Sequence, residues 1–100
     1  MPKSWTSKPA RMKKIWEKTG DGRCAHCGNV TYRKTVDHYI PVHDGGTDDQ
    51  RNLMPLCYKC NQNRSSRRVN PWEYYIYAKP WAIQACLEYE KDWEPNRYSA

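Results

Sequence analysis

Phenylalanine is absent from this 100-residue chain, hydrophobic residues make up only 38% of it, and the mean hydropathy is −1.11. No run approaches the roughly 20 apolar residues that a helix needs to cross a bilayer. The opening segment, MPKSWTSKPARMKK, lacks the apolar block of a secretory signal, so a cytoplasmic protein is expected. Acidic residues are also scarce. Eleven Asp and Glu stand against 17 Lys and Arg, giving a formal charge of +6 and a pI near 9.1, the balance of chains whose partners are polyanions. Chains divide into separate cores only beyond roughly 250 residues, so a single domain over residues 1–100 is expected. Its core must be thin and built partly from the 5 Trp and 8 Tyr, whose polar tips stay wet. A core that small ordinarily needs a staple.

Cysteine supplies one. Cys24 and Cys27 form one C-x-x-C pair, Cys57 and Cys60 a second, and Cys86 stands apart on an apolar stretch as a small buried hydrophobe. Two such pairs let two tight knuckles present four thiolates to one tetrahedral Zn(II). Disulfides are disfavoured without an export signal, and a redox C-x-x-C needs one pair and a βαβ context. Zinc bound only in the folded state would stabilise the chain.

Along the chain, residues 1–23 carry seven positive and two negative side chains, 24–60 carry four of each, 61–79 carry four and one, and 80–100 carry two and four. The neutral middle is where site chemistry is expected. Ser7-Lys8-Pro9 opens a short helix with Met12, Ile15 and Trp16 on one face, closed by Thr19-Gly20-Asp21-Gly22. After the first knuckle, the β-branched stretch Val30–Val36 reads as a strand running into Asp37-His38-Tyr39-Ile40-Pro41. Val42–Arg51, with two glycines and three aspartates, reads as a solvent-facing loop. Asn52–Leu56 returns as an extended segment, and the second knuckle leads into a helix over Asn61–Arg68. Asn70-Pro71-Trp72-Glu73 is a helix start, and after Pro80 a helix from about Trp81 to Trp93 lines up Ala82, Cys86, Tyr89 and Trp93, with Ile83 and Leu87 beside them.

Zinc binding does not require Asp37-His38, the Gly-Gly loop, Asn52-Leu53 or Asn61. Hydrolysis of a phosphodiester needs a base for water and a cation to neutralise charge on the phosphate and the departing oxygen. His38 is the only histidine immediately beside a carboxylate at a strand end, and imidazole suits proton abstraction at neutral pH. Asp37 and Asn61 offer the oxygen donors that Mg(II) accepts while keeping several waters.

The order C-x-x-C, VDHYIPVHDGGTDDQRNLMPLCYKCN over Cys24 to about Arg64 resembles the HNH family of metal-dependent nucleases. The resemblance implies an α+β fold with a ββα-metal core and four-cysteine zinc site over 24–68, flanked by a basic N-terminal helix in 1–23 and a helical extension in 69–100. It implies His38 as general base, Asp37 and Asn61 as ligands of catalytic Mg(II) or Mn(II), and Asn52 as the residue that braces the loop and orients the imidazole. The family's third letter is often histidine. Asparagine at position 61 makes this an H-N-N version, similar to sites in RNA-guided DNA nucleases, and hardens the preference for Mg(II) or Mn(II). The expected products are 5′-phosphate and 3′-hydroxyl ends on double-stranded DNA, nicked or cut, by a monomer or homodimer. The short chain resembles members from phages and mobile elements, with roles such as homing or restriction.

The basic segments 3–23 and 64–68, including Lys13, Lys14, Arg64, Arg67 and Arg68, are expected to contact the duplex backbone, with Arg64 able to reach a phosphate near the metal. His26 is expected to be exposed and His43 a bystander. Asp44, Asp48 and Asp49 lack the spacing of a calcium loop and read as turn chemistry. Two competing readings are a catalytically silent zinc module that binds nucleic acid and a zinc-stapled interaction domain docking through its aromatic C-terminal segment.

Overall fold

A computed structural model describes residues 9–97, so Lys3, Ser7 and Lys8 lie outside the described residues. Pro9 opens α1 (Pro9–Trp16), where the missing N–H of a first-turn proline costs nothing. Ile15 and Trp16 are buried as the spacing predicts and cluster with Leu53, while Met12 and Val36 pack alongside. Lys13 and Lys14 are exposed.

The sheet has two strands. β1 (Lys34–His38) pairs antiparallel with β2 (Leu53–Cys57), setting Asp37 opposite Met54 and His38 opposite Leu53. The strand expected from Val30 starts later because the chain before it is spent on the first knuckle. Cys24 N–H donates to Asn29 O at 2.9 Å, Thr31 N–H to Gly22 O at 2.9 Å, and Val30 bridges only to Arg23. β2 is buried along its whole length. Beyond β1 it is flanked by the first knuckle, whose Ala25 N–H donates to Pro55 O at 2.9 Å.

α2 (Tyr58–Asn63) begins inside the second knuckle, with Cys57 as N-cap, its sulfur accepting the Cys60 N–H at 3.4 Å. The helix expected over Asn61–Arg68 is thus displaced toward the N-terminus and stops short. Arg64 leaves helical geometry (φ −69°, ψ 115°) as its guanidinium turns inward, and the exposed Ser65, Ser66 and Arg67 offer no apolar face to sustain another turn.

α3 (Pro71–Tyr74) is capped as its sequence predicts, Asn70 accepting the Trp72 N–H at 2.9 Å, but lasts a single turn. Pro80 then occupies the first position of α4 (Pro80–Arg97), starting that helix rather than interrupting one. Ala82, Ile83, Cys86, Tyr89 and Trp93 are buried in the main cluster with Cys24, Ala25, Tyr39, Ile40, Met54, Leu56 and Tyr75. Among the described residues no helix is long and apolar enough to cross a membrane.

The loop between the strands is anchored more firmly than a solvent-facing segment. It contains two short 3-10 turns, Val42–Asp44 and Gln50–Asn52. Lys18, only 2% exposed, donates from Nζ to Gln50 O at 2.7 Å and Leu53 O at 2.6 Å, and burial pulls its amine down to about 8. Gly46 is pressed so closely on the main chain that an added Cβ would lie 1.8 Å from Ile40 O. Gly46→Ala is therefore expected to cost roughly 3 kcal/mol, as overpacking against rigid backbone does. Chemical denaturation would reveal it as a lowered midpoint.

Candidate active site

The two knuckles converge as their spacing predicts. The sulfur atoms of Cys24, Cys27, Cys57 and Cys60 all lie within 4.8 Å of one another, and no cysteine forms a disulfide. A tetrahedral Zn(II) with bonds of about 2.3 Å needs sulfurs about 3.8 Å apart, so the four can hold that ion. Gly28 closes the first knuckle at φ +78°, donating its N–H to Cys24 O at 3.0 Å while the Tyr77 ring fills the place of its missing Cβ. Burial pushes the Cys27 and Cys60 thiols up. It opposes ionisation of Cys24 too, but backbone hydrogen bonds from Cys27, Cys57 and His26 outweigh it and bring that thiol below its ordinary value. Sulfurs so crowded and desolvated match the chemistry of a thiolate-bound dication. His26 departs from expectation. It is half-buried, stacked on Tyr74 at 4.1 Å, and donates from Nδ1 to Tyr74 O at 2.8 Å.

A second constellation lies at the end of β1. Asp37, His38 and Asn61 line one cleft of about 190 Å³, together with Arg64, Ser65 and Ser66. Asp37 is 6% exposed. Its Oδ2 accepts from Arg64 Nε at 3.0 Å and from the Tyr75 hydroxyl at 2.6 Å. Burial raises the Asp37 carboxyl above its ordinary value, with the Arg64 guanidinium and Tyr75 hydroxyl pulling the other way. Both hydrogen bonds fall on Oδ2, which leaves Oδ1 for a cation. α2 brings Asn61 against β1, where Nδ2 donates to Thr35 Oγ1 at 2.8 Å and Val36 O at 3.0 Å. A carbonyl only accepts, so the amide must turn its nitrogen to β1, which leaves Oδ1 as its free donor to a metal. An acid and an amide oxygen flanking one cleft suit a hard cation.

His38 is 23% exposed at its side chain, and Nε2 lies 2.6 Å from Asp48 Oδ1. Asn52 is fully buried. Its Oδ1 accepts the Ile40 N–H at 2.7 Å, and Nδ2 donates to Ile40 O at 3.1 Å and Thr47 O at 2.9 Å. It holds the two sides of the loop together and makes no hydrogen bond to the imidazole.

The basic residues divide. Lys13, Lys14 and Arg67 are exposed. Arg64, expected to face a phosphate, is folded inward, its side chain 5% exposed, bonded to Asp37 and to the main-chain oxygens of Ser65 and Arg67. Arg68 is half-buried, pairing with Glu90 at 2.6 Å and lying 5.0 Å from the Trp93 ring centre. Two contacts had no sequence signal. Asp48 reads only as a turn residue, and Tyr75 only as one more core aromatic, because their partners lie 10 and 38 positions away.

Residues 23–67 match the family model described as HNH endonuclease. The CRISPR-associated endonuclease Cas9 of Corynebacterium diphtheriae (strain ATCC 700971 / NCTC 13129 / Biotype gravis) is 26% identical over 74 residues, an alignment covering 71% of this chain and 7% of that protein. The chain thus spans a small fraction of the curated relative it matches. No solved structure matches the chain.

Proposed function

Because residues 23–67 belong to the HNH endonuclease family, we propose that this chain hydrolyses double-stranded DNA with Mg(II) or Mn(II), leaving 5′-phosphate and 3′-hydroxyl ends, and that its four cysteines hold a structural Zn(II). The observation that carries the reading is the shared cleft of Asp37, His38 and Asn61, each tethered by hydrogen bonds. Asp37 and Asn61 present oxygen to the metal, which when bound supplies positive charge against the charge developing on the phosphate and the leaving 3′ oxygen. His38 takes the proton of the attacking water at Nδ1, the ring nitrogen not occupied by Asp48. Arg64 and Tyr75 hold Asp37 in place, and Asn52 keeps the loop closed around the imidazole. Exposed Lys13, Lys14 and Arg67 draw the phosphate backbone in without reading sequence, an attraction that weakens as salt rises.

Supercoiled plasmid incubated with the zinc-loaded protein tests the reading. Nicked circles are expected with Mg(II) and none when EDTA replaces it. Protein that retards DNA in a gel but leaves the plasmid supercoiled at every Mg(II) and Mn(II) concentration would instead be a silent binding module.

A further inference from the structure

We propose that Asp48 is a positioning residue that fixes both the ring orientation of His38 and the nitrogen on which its hydrogen sits, an inference that rests on His38 being the general base. An ionised carboxylate can only accept, so the 2.6 Å contact places the hydrogen on Nε2 and leaves the lone pair on Nδ1. Flipping the ring about Cβ–Cγ would exchange Nε2 for a carbon and lose this bond. The carboxylate therefore selects one of two otherwise similar ring orientations.

An exposed ion pair between two loose side chains would carry little weight. This one is built. Its backbone is clamped on both sides of the carboxylate's own residue. Thr47 O accepts from Asn52 Nδ2 at 2.9 Å, Thr47 N–H donates to the Tyr89 hydroxyl at 2.9 Å, and Asp48 O accepts from Arg11 at 2.9 Å. Three elements thus hold the loop that delivers Asp48: α1 through Arg11, the 3-10 turn through Asn52, and α4 through Tyr89. The neighbouring acids have other tasks. Asp49 caps the 3-10 turn by accepting the Arg51 N–H at 2.9 Å and pairs with the Arg51 side chain, while Asp44 lies 3.9 Å from Arg68. Asn52 and Asp48 then divide the orienting role expected of Asn52 alone: the amide sets the loop, and the carboxylate sets the ring.

The test compares wild type with Asp48→Ala, Asp48→Asn and Asp48→Glu, all zinc-loaded. For Asp48→Ala, plasmid nicking with Mg(II) should fall about 10- to 100-fold in kcat, the loss typical of removing an outer partner of an active-site group, with KM for DNA and gel-shift affinity little changed. Asp48→Asn, which keeps the shape should the alanine variant fail to fold, should fall about tenfold because its acceptor is neutral. Asp48→Glu should recover part of the loss. Nitrogen-15 spectra of the imidazoles give a readout independent of cleavage. In wild type, His38 should show a protonated Nε2 with a slowly exchanging hydrogen and a bare Nδ1, and Asp48→Ala should lose that hydrogen to solvent exchange. Unchanged kcat in both the alanine and asparagine variants, or a wild-type spectrum with the hydrogen on Nδ1, overturns the proposal. Wild type that shows the Nε2 signature yet never nicks overturns the nuclease reading and leaves the pairing of Asp48 with His38 standing.

Discussion

Replacing Cys24 by serine is expected to abolish cooperative folding at ambient temperature. A domain of this length has roughly 5–15 kcal/mol of stability in total, whereas structural zinc bound by a folded site contributes on the order of 10 kcal/mol. Cys24 is also central to the packing. It is fully buried in the main cluster, and the next residue, Ala25, joins the first knuckle to β2 through Pro55 and to the segment after α3 by accepting the Tyr77 N–H at 3.0 Å. Losing one sulfur releases the clasp that sets Asp37 and Asn61 against each other. Thermal melts followed by circular dichroism, together with zinc-to-protein ratios, measure this. Cys86→Ser serves as the control. That side chain is equally buried, on α4, so the hydroxyl should cost about 1–3 kcal/mol while zinc remains bound. A Cys24→Ser protein that melts like wild type without zinc would show that the apolar clusters suffice.

His38→Ala is expected to lower the single-turnover nicking rate on the order of 10²–10⁴-fold, the share a well-placed general base supplies. Affinity for DNA should barely move, because the exposed cations Lys13, Lys14 and Arg67 are untouched. The fold should survive too. His38 sits at the end of β1, partly exposed, and its side chain contacts the carboxylate of Asp48 rather than the hydrophobic core. Quench-flow or timed gel assays at saturating protein separate the chemical step from binding. Undiminished nicking by this variant would transfer the base to another group. Together with the plasmid assay, these variants separate folding from chemistry, since Cys24→Ser removes the fold whereas His38→Ala removes the chemical step and leaves folding and DNA binding measurable.

Features encoded by short spacing were legible in the sequence. The two C-x-x-C pairs, the apolar face of α1, the Asn70 cap and the buried stripe of α4 all depend on residues within a few positions of one another. Element edges fared worse where the backbone had another obligation. Val30 has strand propensity, yet its neighbours' amides close a knuckle. Arg64 follows a helix, yet a buried carboxylate 27 positions earlier turns it inward. Of the candidate site, Asp37, His38, Asn52 and Asn61 were readable as an ordered set. Asp48 and Tyr75 were not, because a carboxylate in an acidic loop and a tyrosine in an aromatic-rich stretch look like many others until tertiary contacts select them. Lys18 belongs with them, a lysine of the basic segment 3–23 expected to contact DNA that is instead almost wholly buried beneath the loop.

The Tyr75 hydroxyl on Asp37 makes the working unit longer than its recognisable motif. The match to the HNH endonuclease family model ends at residue 67, but one of the two groups gripping the acid at the cleft comes from downstream of it, next to α3. A graft of only the matched stretch onto another scaffold would carry the acid, the imidazole and both amides, yet leave that acid short of a hydrogen-bond donor. Any miniaturised version must import a phenol or an equivalent from its new host.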